Sequence, residues 1–374
     1  MIDFRYHLVS IVAVFLALTV GLVLGTTMLQ DPLLNTLQSE TADLRGQSEQ
    51  LRTERDAAER VGAGADMFAD VLSEEVLERR LDGVGVVMVA APGADAGVVT
   101  ALAERVEEAD GEVVGRVDLT PELVDGDNAT FVGELAFQVA RDPDRLTGNA
   151  HERAGAELGR ALAHGARAVD SLADGVRGAD TRADDTGVGD GSGTGGEGDA
   201  EVRDDRAAAA VLAAFAEGGL VALQGEPAEA ADAVVVVAPA FGSEGDTETA
   251  HAVLTTLVAA LREQVGPTVL AGDPASAEPG GLVAHARAQE PVYTTVDLAG
   301  RPMGDVIAVL ALAASLRGPG AAYGVGEGVV GVVPDPLPDP RSTGDGDGED
   351  SAGGESGDGD GTGHDVRHAT RGGE

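Results

Sequence analysis

The sequence predicts an α/β protein: a Rossmann-like three-layer domain with a mainly parallel sheet, carried on a helical, coiled-coil-like stalk and a single N-terminal transmembrane helix. Three observations predict it. Residues 8–29 (LVSIVAVFLALTVGLVLGTTML) contain no charged side chain. Leucines then recur at seven-residue spacing through a polar, charged stretch. Beyond them, short continuous apolar runs alternate with amphipathic segments, the pattern of strands and helices in a doubly wound sheet.

The membrane anchor comes first, within residues 1–29. At ~1.5 Å rise per residue the uncharged run spans about 33 Å, matching a bilayer core of ~30 Å. A cleaved secretory signal would have an apolar stretch of only ~7–15 residues and a small-x-small cleavage site. Here the run is longer, only Arg5 stands before it, and Gly25-Thr26-Thr27 is the nearest approach to a cleavage motif. Arg5 and the terminal amine precede the helix, Asp31 and Glu40 follow it, and Arg45 is the first basic residue beyond. The positive-inside rule therefore places the short N-terminus in the cytoplasm and the bulk of the chain outside. Ala13, Ala17, Gly21 and Gly25 recur at every fourth position, a small-residue face that lets two membrane helices approach closely. A homodimer is the expectation it raises.

Residues 30–62 form the expected stalk. Leu37, Leu44, Leu51 and Ala58 make one seam of a heptad, although Thr41, Ser48 and Arg55 leave the companion positions polar. The seam suits a coiled coil; the plain alternative is a solvated spacer helix. Gly62 and Gly64 are expected to punctuate it. A further stripe of Met67, Phe68, Val71, Leu72 and Val76 then reads as a separate helix packing on the domain.

The domain reads as two halves, residues 63–174 and 206–335. Val84 to Ala91 is an apolar run ending at Pro92-Gly93, as expected of a strand buried on both faces. Gly97 to Glu108 is an amphipathic helix and Glu112 to Leu119 a second strand. Helical stretches follow near Phe131–Arg141, Glu152–Val169 and Arg206–Glu217. The strand–helix unit then recurs: Ala233–Ala238, Thr247–Glu263, Pro267–Ala271. Val292–Leu298 is another strand and Asp305–Leu316 a strongly apolar helix. Residues 175–205 and the tail 336–374 are rich in Gly and Asp with almost nothing to bury, so both are expected to be disordered.

Composition excludes several classes of function. The chain has no cysteine, so disulfides and thiolate metal sites are impossible. Its 25 basic residues are all Arg, and against 65 acidic ones they leave a formal charge of −40. Such a surface repels nucleic acid and anionic lipid. Aromatic residues make up only 3% and Trp is absent, which removes stacking platforms for bases or sugars.

No catalytic or cofactor constellation stands out. The turn Pro92-Gly93-Ala94-Asp95-Ala96-Gly97 is neither a dinucleotide fingerprint nor a P-loop, and Asp95 would face a phosphate with like charge. Asp118, without that fingerprint, reads as a loop cap rather than a ribose ligand. Ser243, in the turn Pro239-Ala240-Phe241-Gly242-Ser243, has no base beside it in sequence. The chain therefore reads as non-enzymatic. Met1, Met28, Met67, Met88 and Met303 are scattered. His151 and His164 fall on nearly opposite faces of any shared helix. His364 and His368 have chelating i,i+4 spacing but lie in the Gly/Asp tail. Asp345, Asp347, Asp358 and Asp360 do not complete an EF-hand.

The opening MIDFRYHLVSIVAVFLALTVGLVLGTTML resembles, nearly residue for residue, that of the actinobacterial MctB family, the mycobacterial copper transport protein B type. Asp297-Leu298-Ala299-Gly300-Arg301-Pro302-Met303-Gly304, the helix after it, and Ala322-Tyr323-Gly324-Val325-Gly326 resemble that family's closing motif. The resemblance covers roughly residues 1–335. It implies a membrane-anchored cell-envelope protein of copper transport or homeostasis, with copper the one ligand suggested. Related corynebacterial members imply an alternative, a scaffold for cell separation that works with a division partner. The resemblance supplies no catalytic or copper-ligand motif. A β-barrel pore would need many amphipathic strands of about ten residues, whereas the strands here read as buried and parallel.

Overall fold

A computed structural model describes residues 3–163, 196–224, 230–243 and 245–341, with the backbone alone at residues 3, 26–37 and 196–205. Helix α1 runs unbroken from Asp3 to Leu77, 75 residues. Its apolar window, Phe4–Gly25, is wholly exposed, as a membrane span must be before lipid covers it. The strands and helices that follow are β1 (Gly85–Ala90), α2 (Ala96–Glu108), β2 (Glu112–Leu119), α3 (Pro121–Val124), α4 (Ala129–Val139), α5 (Ala150–Ala163) and α6 (Gly196–Glu217). The second half holds β3 (Val221–Gln224), β4 (Ala233–Val237), α7 (Glu248–Gln264), β5 (Thr268–Ala271), α8 (Leu282–Arg287), β6 (Thr294–Val296), α9 (Pro302–Ser315) and β7 (Ala322–Tyr323).

The sheet has seven strands in the order β3-β2-β1-β4-β5-β6-β7. Every pairing is parallel except β2 with β3. β1, β4, β5 and β6 are buried along their whole length, which is why, apart from Gly85 and Met88 in β1, they are continuous runs of Val, Ala, Leu and Thr. Alternate residues serve two cores. Val87, Val89, Val234, Val236 and Leu270 face a layer containing α5, α6, α7 and α8. Val86, Met88, Val235, Val237 and Val269 face α2, α9 and the end of α1. α9 is apolar all round except Asp305 because sheet, α2 and α1 enclose it, and every residue from Gly304 to Ala313 is buried.

Several expectations are corrected. Gly62 and Gly64 do not interrupt the stalk: α1 passes through both and ends on the domain. An interior glycine costs about 1 kcal/mol relative to Ala, but at Gly62 a Cβ would lie 2.6 Å from Arg301 Nη2, so the glycine admits that guanidinium. The Met67–Phe68–Val71 stripe does not pack on the domain. These residues are 71%, 68% and 81% exposed, while Leu72, Ser73, Val76 and Leu77 turn inward. α6 begins at Gly196, within the expected linker, because Ala200-Glu201-Val202-Arg203 already favours helix. The rest of that linker lies outside the described residues. The start of the expected tail packs on the domain: Pro338 is buried, and Arg341 bonds through its N–H to Arg79 O (2.7 Å) and through Nε to Asp82 O (3.0 Å). Residues 342–374 lie outside the described residues. β3 and β7 are strands too short for periodicity to reveal.

Candidate functional site

Two regions concentrate buried polar chemistry: the joint where α1 meets the domain, and the edge of the sheet at the carboxyl ends of its strands. The joint is built by residues 297–305. Leu298 is buried and Gly300 takes φ +86°, turning the chain into α9 with Pro302 at its first position. A Cβ on Gly304 would lie 1.7 Å from Leu298 O, so only glycine fits. Arg301 then reaches back to α1 and grips Asp66 through Nη2 (2.6 Å) and Nε (3.0 Å). On α2, Arg105 repeats the device: it pairs with Asp70 and Glu108 and donates to Ser73 Oγ (2.8 Å). Behind them Asp305, 3% exposed, accepts from Gly300 N–H (2.9 Å). Burial pushes its carboxyl up to about 6; the Gly300 hydrogen bond and the charge of Arg105 oppose that rise, and Asp66 adds to it.

Asp297 explains the second half of the closing motif. It is fully buried, pairs with Arg287 Nη1 (2.7 Å), and accepts the N–H groups of Val325 (2.8 Å) and Gly326 (2.8 Å). Arg287 also donates to Thr295 Oγ1 and Tyr323 O. A Cβ on Gly324, at φ +131°, would fall 1.8 Å from Asp297 Oδ1. The loop therefore wraps a buried, fully hydrogen-bonded ion pair, the condition under which such a pair is tolerated.

At the carboxyl edge the strand order reverses between β1 and β4, the place where a doubly wound sheet usually binds its ligand. Here the two loops fill that place themselves. Ala240 N–H donates to Gly93 O (3.0 Å), and a Cβ on Gly245 would meet Pro92 O at 1.9 Å. Asp95 caps α2 by accepting from Gly97 N–H (2.7 Å). Ser243 Oγ is buried without a hydrogen-bond partner. Beyond it, Asp246 Oδ2 accepts from Gly242 N–H (2.6 Å) and Oδ1 lies 2.6 Å from His251 Nε2. The His251 ring centre is 5.9 Å from that of His285 on α8, whose Nε2 is buried and unpartnered. Among the described residues no three His, Cys, Asp or Glu side chains gather as a metal set.

The other sequence candidates fall elsewhere. Asp118 is no loop cap: it lies within β2, paired with Arg116 (2.7 Å) and receiving Gln224 Nε2 (3.2 Å) from β3. His151 is buried on α5, and burial lowers its pKa against the opposing pull of a hydrogen bond at the Leu123 backbone. His164, His364, His368 and Asp345, Asp347, Asp358 and Asp360 lie outside the described residues. Ala13, Ala17, Gly21 and Gly25 sit on the exposed apolar part of α1, where a Cβ on either glycine would meet nothing within 4 Å. Leu44 and Leu51 are 64% and 65% exposed and Ala58 is exposed too, so no seam is formed within this chain; the side chain of Leu37 is outside the described set. A cleft of about 970 Å³ between α5 and α7 is lined by Arg145, Arg160, Glu152, Glu157 and Glu263. Arg160 pairs with Glu157 and Arg145 with Asp142, so it presents no field of one sign.

Sequence reading missed Asp66, Asp246, His251 and His285, and had Arg301 only as part of the closing motif, with no partner. Each acts through a partner from another element or across a turn, and no local spacing marks them.

Fold and joint together define a doubly wound α/β domain gripped to one continuous helix whose far end is apolar enough to cross a bilayer. The family model for "Copper transport outer membrane protein, MctB" matches residues 1–334, and the chain belongs to that family. Curated relatives named "Copper transporter MctB" from Mycobacterium bovis and Mycobacterium tuberculosis are each 38% identical over 129 residues. A third, from Mycobacterium leprae, is 36% identical over 128 residues. The matched stretch is 34% of this chain and 41% of the M. bovis and M. tuberculosis relatives' length.

Proposed function

We propose that the chain is a membrane-anchored, non-enzymatic copper-homeostasis protein whose α/β domain stands on the extracytoplasmic side. The observation that carries this reading is that one family model, described by copper transport, takes in the anchor, the joint and the domain together. The charge pattern supports the orientation: Arg5 precedes the apolar window, and acidic residues predominate after it. The closing motif supports mechanical coupling, since it ties the domain to α1 through Arg301 and Asp66. The small-residue face Ala13, Ala17, Gly21, Gly25 suits a homodimer in the bilayer.

Two measurements test this. Single cysteines introduced at Ser39 and Ile2 have no native thiol to compete with them. A membrane-impermeant maleimide on cells stripped of outer layers should label Ser39→Cys and spare Ile2→Cys. The opposite pattern overturns the orientation. Deleting the gene should change cell-associated copper under copper loading, with restoration by the intact gene. Unchanged copper content overturns the copper reading.

A further inference from the structure

We propose that His251 and His285 together hold one Cu(I) ion, with Asp246 fixing the tautomer of His251. This rests on the copper reading above and assigns it a place in the domain. The argument begins with Asp246. Its side chain is 6% exposed and that of His251 3%, so the 2.6 Å contact between them is shielded from water. A carboxylate has no proton to give, so Nε2 of His251 carries the hydrogen and Nδ1 keeps the free lone pair. This is the arrangement in which metal-ligating histidines are found: one ring nitrogen donates to a carboxylate and the other is left for the ion.

His285 supplies the second half. Its Nε2 is buried with no partner, an anomaly for a polar atom in a protein interior. The two ring centres lie 5.9 Å apart. Two imidazoles on opposite sides of one ion, each with a metal–nitrogen bond of about 2.0 Å and a nitrogen-to-centre distance of about 1.1 Å, have centres about 6 Å apart. The 50° tilt between the planes is no obstacle, because linear coordination fixes no dihedral angle between two rings on one metal–nitrogen axis.

The donor count and charge select the ion. No third His, Cys, Asp or Glu joins the pair as a metal set among the described residues. Two neutral nitrogens in line suit a monovalent d¹⁰ ion, whereas Zn²⁺ requires about four ligands. The negative charge of Asp246 neutralises one positive charge in this buried place and leaves a divalent ion uncompensated. The loop carrying Asp246 is pinned at Gly242, whose N–H donates to Asp246 Oδ2 (2.6 Å).

The test uses the full chain in detergent micelles, with His364→Ala and His368→Ala to remove the i,i+4 pair in the tail. Anaerobic titration with Cu(I) against a chromophoric chelator should show one ion per chain. His251→Gln or His285→Gln should weaken it by ~100-fold or more, and Asp246→Asn by ~10–100-fold. X-ray absorption should show two nitrogen neighbours. Should a variant misfold, ¹⁵N-histidine labelling of the unsubstituted chain decides: Ag(I), a redox-inert stand-in, should shift the ring signals of two histidines together. Cu(I) affinity unchanged by both histidine substitutions, or Ag(I) perturbing other histidines alone, overturns the site. If it falls while gene deletion still alters cell copper, the copper reading survives it. If copper content is unaffected while the pair binds Cu(I), the reading falls and the site stands.

Discussion

Asp305 offers the sharpest test of how the joint is built. Its carboxyl is buried behind the ion pairs that hold α1, and burial raises its pKa from 3.8 to about 6. Between those values the folded state holds a proton that the unfolded chain has released. Stability therefore falls as pH rises through about 4 to 6 and is then level. A shift of about two units at 1.36 kcal/mol each gives roughly 3 kcal/mol, an upper bound for the cost of ionised Asp305 at neutral pH. Asp305→Asn keeps an oxygen to accept from Gly300 N–H and removes the charge. The variant should be more stable than the parent at pH 7 by up to ~3 kcal/mol, and the advantage should vanish near pH 4. Denaturant unfolding of the full chain in micelles can be followed by near-UV circular dichroism, since Tyr293 is buried in the domain and reports its packing. Taking the difference between variant and parent at each pH cancels the repulsion of the other acidic residues. A difference that is flat from pH 4 to 7, or a variant less stable at pH 7, would refute the reasoning.

Other outcomes follow from the same contacts. Asp297→Ala strands the Arg287 guanidinium, 8% exposed, and should cost about 3–5 kcal/mol by the same unfolding assay. Gly304→Ala drives a methyl onto the Leu298 carbonyl and should destabilise by more than ~2 kcal/mol, whereas Gly64→Ala meets nothing within 4 Å and should stabilise by up to ~1 kcal/mol. Ending the chain after Arg341 should leave the unfolding midpoint unchanged, while ending it after Asp335 removes the contacts of Pro338 and Arg341 and should lower it. If two chains pair through the small-residue face, Gly21→Ile should reduce crosslinking between single-cysteine stalk variants in membranes; unchanged crosslinking excludes that face.

The sequence by itself determined the architecture. An uncharged run as long as a bilayer is thick marks a membrane span, and runs such as Val86–Ala90 and Val234–Val237 are apolar throughout because both their faces are covered. These are local signals: length, charge and period are properties of neighbours in the chain. The tertiary structure decided what depends on distant residues. Glycine at 62 and 64 signals a break from local propensity, yet α1 runs through both, with the Arg301 guanidinium, 239 positions beyond Gly62, lying beside that glycine. Met67, Phe68 and Val71 look like a docking stripe, but the side of α1 that turns inward carries Ser73, Val76 and Leu77, and Leu77 joins the core shared with α2 and α9. The His251–His285 pair was invisible for the same reason. Two side chains on separate helices become neighbours only when β4 and β5 set α7 and α8 side by side, and no spacing along the chain encodes that meeting.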